Sequence, residues 1–154
     1  MWVNKNKLFL SLLFAVALIG QASYAQTIST LRPLSFGTIA IKNYTSMISM
    51  TVNASGGYNT NSNTYIVETP QRGEYLITGA PVSTSYTVTI PASIVMTGPG
   101  GGFTVDNFTT FPNTLTTNGA GEATFYIGAR ATTAGGMGYG DGTYGDSFDI
   151  TVNY

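Results

Sequence analysis

The chain has 154 residues with no cysteine and no histidine, and only 8% of its residues are charged, for a formal net charge of −1. This composition excludes a disulfide framework, argues against nucleic-acid binding and removes the commonest general base, zinc ligands and thiol nucleophile. Glycine is abundant, at 19 residues, and together with the low charge this indicates a turn-rich β protein rather than a coiled coil.

The first element in chain order is an export signal. Lys5 and Lys7 precede an apolar run over residues 8–20, and Ala22-Ser23-Tyr24-Ala25 places small residues at the two positions that a signal peptidase reads. The alternative, a membrane anchor, is disfavoured because a spanning helix needs about 20 apolar residues. The pattern therefore predicts a bacterial signal peptide over residues 1–25.

The remaining residues, 26–154, are predicted to form one mature domain with no membrane attachment. Removal of the signal takes away two of the six basic residues, so four remain against seven acidic ones, a formal charge of −3. A basic face for a nucleic acid is therefore not expected. The mature chain is expected in the periplasm, at the cell surface or outside the cell.

Alternation of apolar and polar residues with period two recurs along the mature chain, and no helix-period run is present. Each alternating tract predicts a strand with one buried face, and the chain as a whole predicts about seven to nine strands. The tracts, in order, are Leu34, Phe36 and Ala40 with Thr38; Ile48, Met50 and Val52; Tyr86, Val88 and Ile90; Ala123, Phe125, Ile127 and Ala129; and Phe148, Ile150, Val152 and Tyr154.

The connections between these tracts indicate how the strands are paired. Asn118-Gly119 is typical of a tight hairpin turn and predicts pairing of the stretch around Leu115 with the strand that begins near Glu122. Connections this short leave no room for crossover helices, so the strands should be antiparallel throughout. The favoured architecture is a two-sheet sandwich, and a closed barrel is the alternative.

Two glycine-rich segments invite a functional interpretation. Gly98-Pro99-Gly100-Gly101-Gly102 is followed by a strand-like Phe103 rather than by a helix, so it predicts a plain turn and not a phosphate-binding loop. Residues 135–145 predict a surface loop. Tyr139 and Tyr144 lie in this loop, where an aromatic ring has less chance of being covered, and they are the candidate residues of a ligand-binding loop.

The acidic residues do not form a recognisable catalytic or metal site. Their spacing near the glycine-rich loop matches no calcium-binding loop, so solvated turn residues are the favoured interpretation of Asp141, Asp146 and Asp149. Glu68 and Glu74 are the candidate carboxylate pair of a glycosidase, but charges that protect strand ends from aggregation are the favoured interpretation. The sequence predicts no enzyme, cofactor or metal.

Five short motifs occur in a particular order along the mature chain. They are Leu34-Ser35-Phe36-Gly37-Thr38, Thr78-Gly79-Ala80-Pro81, Phe125-Tyr126-Ile127-Gly128-Ala129, Gly142-Thr143-Tyr144-Gly145 and Val152-Asn153-Tyr154. In this order the chain resembles the bacterial secreted family called domain of unknown function 4402, over nearly its whole mature length. More distantly it resembles spore coat protein U and the pilin-like domains assembled by chaperone and usher.

The more distant resemblance implies an immunoglobulin-like sandwich that lacks one strand, with the groove filled by the amino-terminal segment of a neighbour. Only seven residues precede Pro33, and Ile28 and Leu31 are three positions apart, whereas pockets along a strand lie two positions apart. Either Leu34 and Phe36 also take part in donation, or the domain is complete by itself.

The end of the chain fits the same picture, because an alternating strand finishes at Tyr154 without a polar tail, although many sandwiches simply end on a strand. A last strand beside an open slot would be recognised by a periplasmic chaperone through its edge. The candidate assembly residues at the two ends are Ile28, Leu31, Leu34, Phe36, Phe148, Ile150, Val152 and Tyr154.

Three hypotheses about function follow. The favoured one is a non-enzymatic structural subunit of a surface or fimbrial assembly, with copies of itself or related subunits as partners. The second is a self-contained binding module whose loop at Tyr139 and Tyr144 contacts a glycan or a protein. A carboxylate-based hydrolase is the least favoured of the three.

Overall fold

The computed structural model describes residues 25–43, 45–133 and 138–154, so the predicted signal peptide lies outside the described residues apart from Ala25. Within these ranges every regular element is a β-strand and every strand pair is antiparallel. The predicted all-β, antiparallel class is therefore confirmed. In the same ranges, no helix has the length and apolar character needed to cross a membrane.

Twelve strands occur in the described residues, which is more than the seven to nine predicted. The difference arises because strands of two or three residues are too short to show an alternating pattern. The strands are β1 (Thr27–Arg32), β2 (Thr38–Ile41), β3 (Ser49–Val52), β4 (Tyr58–Thr60), β5 (Thr64–Glu68), β6 (Gly73–Thr78), β7 (Ser85–Thr89), β8 (Ser93–Gly98), β9 (Gly101–Phe111), β10 (Leu115–Thr116), β11 (Ala123–Thr132) and β12 (Thr151–Asn153).

The strand β11 is the centre of a seven-stranded sheet. The strands β6 and β3 pair with successive stretches along one of its edges, and β9 pairs along the other. Outside these, β1 pairs with β6, β4 with β3, and β8 with β9. A three-stranded sheet has the order β10-β7-β12, and β2 pairs with β5 as a separate two-stranded sheet.

The burial of side chains explains why β11 is central. Its alternating residues Ala123, Phe125, Ile127 and Ala129 are all buried, as predicted. The predicted strands at Met50 and Tyr86 are likewise confirmed as β3 and β7, with both side chains buried. Full burial of a large apolar side chain contributes roughly 1.5–3 kcal/mol each, so these strands anchor the domain.

The buried side chains form two apolar clusters. The first joins the seven-stranded sheet to the three-stranded sheet through Tyr75, Ile77, Ala80, Tyr86, Leu115, Ala123, Phe125, Ile127 and Val152. The second lies on β9 and β11 and includes Phe103, Val105, Ala129, Ala131 and Tyr139. Leu34 and Phe108 pack against both clusters, so the two form one continuous interior.

The first predicted strand is wrong in its phase. Leu34 and Phe36 are half-buried, but β2 then turns its two isoleucines inward and exposes Thr38 and Ala40, which were predicted on the same face as Leu34. The phase changes at Gly37, which has a φ of +70°. A side chain there would place its Cβ 2.2 Å from the Glu68 carbonyl oxygen, so only glycine permits this close approach.

The predicted hairpin at Asn118-Gly119 is also wrong, because β10 pairs with β7 and not with β11. The connection therefore passes from one sheet to another. The Asn118 Oδ1 accepts hydrogen bonds from the backbone N–H groups of Ala120 and Glu122, at 2.8 and 3.0 Å. The positive φ of the turn falls on Gly121, so an asparagine side chain organises this connection rather than a two-residue turn.

The plain turn predicted for the first glycine-rich segment is confirmed. Gly98 ends β8, Gly101 begins β9, and the two residues are paired across the hairpin. Gly100 has a φ of +79° between them, the left-handed conformation that a tight turn needs at this position.

Candidate functional site

The amino-terminal strand β1 lies at an edge of the seven-stranded sheet and is held almost entirely by its backbone. All six of its residues are exposed, including Ile28 at 36% and Leu31 at 55%. Its backbone pairs only with β6 among the described strands. Two side-chain contacts join the strands, namely the ion pair of Arg32 with Glu74 at 2.9 Å and the hydroxyl contact of Thr27 with Thr78 at 2.8 Å.

A register shift in β1 accounts for the three-residue spacing of its apolar side chains. Thr30 lies opposite Tyr75, and Arg32 lies opposite Glu74, so Leu31 is an additional residue in the ladder. Such a bulge shifts the inward and outward alternation by one position. The spacing of Ile28 and Leu31 therefore does not exclude this segment from being a strand.

The next residues, unlike β1, belong to the interior of their own domain. Leu34 packs against both apolar clusters and Phe36 against the second. Between them, Ser35 and Gln71 exchange two backbone hydrogen bonds of 2.8 and 2.9 Å. The firmly attached part of the chain therefore begins at residue 34, directly after β1 and Pro33.

The predicted assembly residues at the carboxyl end differ in their environment. Phe148 and Ile150 are half-buried against the first cluster, and Val152 is buried within it. Tyr154 is 79% exposed, with its ring 5.5 Å from the ring of Tyr86. Only Thr151–Asn153 forms a strand, and it pairs with β7. The Val152 carbonyl accepts a hydrogen bond of 3.3 Å from the side chain of Gln26.

The expectation that the loop tyrosines are uncovered is wrong for Tyr139, which is only 7% exposed. Its ring lies 5.3 Å from that of Phe103, and the half-buried ring of Tyr144 lies 5.0 Å from the same residue. Tyr144 Oη lies within hydrogen-bond reach of the carbonyl oxygens of Pro99 and, at 2.9 Å, of Gly140. Residues 135–137 of the predicted loop lie outside the described residues.

The glycine-rich turn and the two tyrosines explain one another. A Cβ on Gly98 would come within 2.4 Å of the Tyr144 ring, and a Cβ on Gly101 would come within 3.0 Å of the Tyr139 ring. These glycines make space for the two rings against the β8–β9 hairpin. Both segments were noticed in the sequence, but no sequence pattern indicates that one packs on the other.

A cavity of about 690 Å³ separates an amino-terminal segment from a carboxyl-terminal one. One wall is formed by residues 34–41 and the other by residues 139–146. The floor consists of apolar side chains from the second cluster and its neighbours, namely Ile48, Met50, Met96, Phe103 and Ala131. The cavity thus brings together four of the predicted site residues: Leu34, Phe36, Tyr139 and Tyr144.

The charges near this cavity are of one sign. Asp141 and Asp146 line its wall, and no lysine or arginine does. Elsewhere the Arg130 side chain donates two hydrogen bonds of 2.8 Å to Asp106 and thereby lowers the pKa of that carboxyl group. The cavity is therefore suited to an uncharged or basic occupant rather than an acidic one.

The residues considered for catalysis or metal binding are not brought together. Glu68, on β5, accepts a hydrogen bond from the Thr38 hydroxyl, and Glu74, on β6, is paired with Arg32. Within the described ranges no group of three acidic residues has the arrangement of a metal site. The arrangement offers an apolar slot and a loosely attached strand, which is the geometry of strand binding rather than of bond cleavage.

Comparison with known proteins gives one match. The model of the family described as domain of unknown function (DUF4402) matches residues 26–154, which is the whole of the predicted mature domain. No curated protein and no solved structure matches the chain.

Proposed function

Given that the chain belongs to the DUF4402 family, we propose that it is an exported, non-enzymatic structural subunit of a surface or fimbrial assembly. Copies of the chain, or related subunits, are joined by strand complementation. In this proposal the three-stranded and two-stranded sheets are the second layer of an incomplete, pilin-like sandwich with immunoglobulin-like topology. A periplasmic chaperone is the expected partner before assembly.

The observation that carries the proposal is the exposure of all six residues of β1. Stability comes mainly from buried apolar surface, at roughly 25 cal/mol per Å², and β1 buries no side chain. Its backbone hydrogen bonds contribute about 0.5–1.5 kcal/mol each, and equivalent bonds form again when the strand pairs with another edge. Transfer of β1 to a second copy therefore costs little.

The cavity between residues 34–41 and 139–146 supplies the acceptor in this proposal. The strand β2 on its wall pairs with β5 along one edge, and the apolar floor is larger than the flanking segments cover. A six-residue strand is about 20 Å long, so β1 of a neighbour is long enough to lie along such a slot. Burial of Ile28 and Leu31 there provides the favourable free energy that their exposed positions on β6 do not.

A disulfide between β1 and β6 should stop assembly. The Thr27 and Thr78 Oγ1 atoms are 2.8 Å apart, so Thr27→Cys with Thr78→Cys should form a bond close to the usual length of about 2 Å. The chain has no cysteine of its own to interfere. The oxidised variant should remain monomeric in size-exclusion chromatography with light scattering, and the reduced variant should form oligomers like the unmodified chain.

The matched control joins β12 to β7 through Thr87→Cys and Asn153→Cys, two residues that are paired in the ladder. This bond leaves β1 free, so oxidation should not affect assembly. Oligomers of the oxidised β1–β6 variant equal in amount to those of the control would contradict strand transfer.

A second candidate function is a self-contained binding module for a glycan or a protein. The observation that favours it is that Tyr139 and Tyr144 line the same cavity, whose volume falls within the range of about 300–1,000 Å³ found for ligand sites. Tyr144→Ala should abolish retention on a glycan array, and Tyr144→Phe should preserve it, because the ring supplies the stacking surface. Unchanged retention of the folded alanine variant would contradict this function.

A further inference from the structure

We propose that the acidic wall of the cavity recognises the basic end of β1 from a second copy of the chain, through pairing of Arg32 of that copy with Asp141 and Asp146. This inference rests on the proposed function, strand complementation. It adds the orientation of the incoming strand and the side chains that select it.

Arg32 differs from the other basic residues of the predicted mature chain because it lies on the exposed strand. Its side chain is half exposed, and its partner is the Glu74 carboxylate. Arg130 is held by two hydrogen bonds to Asp106, and Arg72 donates to the Ala54 carbonyl. Lys42, the remaining one, donates to the Ser62 carbonyl. When β1 leaves β6, Arg32 is thus the basic side chain that travels with it.

The cavity offers Arg32 an equivalent partner. Asp141 and Asp146 are exposed on its wall, and neither forms an ion pair within the described residues. The Asp146 carboxylate accepts one hydrogen bond of 2.8 Å, from the Ser147 N–H, which leaves acceptor positions open. Transfer of the strand exchanges one carboxylate partner of Arg32 for another, so no charge loses its partner.

Chain connectivity sets the direction of the incoming strand. Arg32 is the last residue of β1, and only Pro33 separates it from the firmly attached residues that begin at Leu34. Arg32 therefore stays next to the donor's own domain, at the mouth of the slot. Ile28, four residues earlier, lies about 13 Å deeper, towards the apolar floor.

Attraction at this position also opposes a general repulsion. Each predicted mature chain has four basic and seven acidic residues, so two copies repel each other. A local pair of opposite charges selects the productive encounter, and its effect is screened beyond about 10 Å at 0.1 M salt. Assembly should consequently be more specific for β1 than its two apolar side chains alone would make it.

The experiment is a charge reversal, with assembly of the full mature chain followed by light scattering at low salt. Arg32→Glu and the double variant Asp141→Lys with Asp146→Lys should each slow assembly about tenfold or more. The triple variant that combines them should recover to within about threefold of the unmodified chain, because the pair is restored with reversed sign.

Two controls separate this pairing from other effects. Asp149→Lys makes the same change of charge at an exposed residue that does not line the cavity, so it should alter the rate by less than about threefold. Glu74→Gln removes the partner of Arg32 within the chain and should accelerate assembly, the opposite of Arg32→Glu. Circular dichroism and melting curves confirm that each variant is folded.

The results distinguish the inference from the function on which it rests. If the unmodified chain assembles but the triple variant recovers no better than either parent, the pairing is wrong while strand complementation stands. If Arg32→Glu accelerates assembly as Glu74→Gln does, Arg32 acts only as a latch on β6. If the unmodified chain stays monomeric at every salt concentration and after warming, both the inference and the proposed function are overturned.

Discussion

A mature chain that lacks residues 26–31 is expected to lose assembly completely while remaining folded. These residues bury no side chain of β1, and the strand leaves the two apolar clusters intact because none of its residues belongs to them. The melting temperature should fall by less than about 10 °C, since only the ladder with β6 and the ion pair of Arg32 are affected. Light scattering and a thermal melt measure the two effects.

A peptide with the sequence of residues 26–32 provides the positive arm of this experiment. Added to the shortened chain, it should bind and raise the melting temperature, because a ligand that binds only the folded state stabilises it. A scrambled peptide of the same composition is the matched control. Undiminished assembly of the shortened chain would show that another segment joins the subunits and would contradict the donor role of β1.

Replacement of Gly128 by alanine is expected to destabilise the domain by about 3 kcal/mol or more. Gly128 lies buried in β11, directly beside the chain between Val52 and Ala54. A Cβ at this position would be 2.3 Å from the Val52 carbonyl oxygen and 2.4 Å from the Ala54 nitrogen. Because these neighbours are backbone atoms, they cannot move aside without shifting β3. Chemical denaturation followed by circular dichroism measures the loss.

The matched control is Gly119→Ala, the same change at an exposed turn residue where a Cβ meets no atom within 4 Å. Its effect should stay within about 0.5 kcal/mol. Equal stability of the two variants would mean that β3 and β11 are not packed as closely as described.

The alternating tracts around Met50, Tyr86 and Phe125 located three strands correctly, because a strand that buries one face carries apolar side chains at every second position. The same rule failed at the first strand. There Gly37 reverses the phase by a left-handed backbone conformation, and the reason for it is the nearby Glu68 carbonyl, a residue of another strand. Periodicity reports on one segment and carries no information about such a neighbour.

The candidate site was anticipated in its parts and not in its arrangement. Tyr139 and Tyr144 were selected as exposed loop residues, yet both rings pack against the β8–β9 hairpin, where glycines leave space for them. Ile28 and Leu31 stood out by a spacing unsuited to a regular strand, and a bulge accommodates it. In each case the explanation is a contact with a segment distant in the chain.

The sequence by itself determined the all-β class, the glycine turn at Pro99-Gly100 and the family to which residues 26–154 belong, since each depends on neighbouring residues or on the order of short motifs. Only the tertiary structure decided that β6 and β3 share one edge of β11 and that residues 34–41 face residues 139–146 across one cavity. The physical reason is that sheet pairing and cavity walls are made by backbone and apolar contacts between distant segments, and these contacts are compatible with many different local patterns.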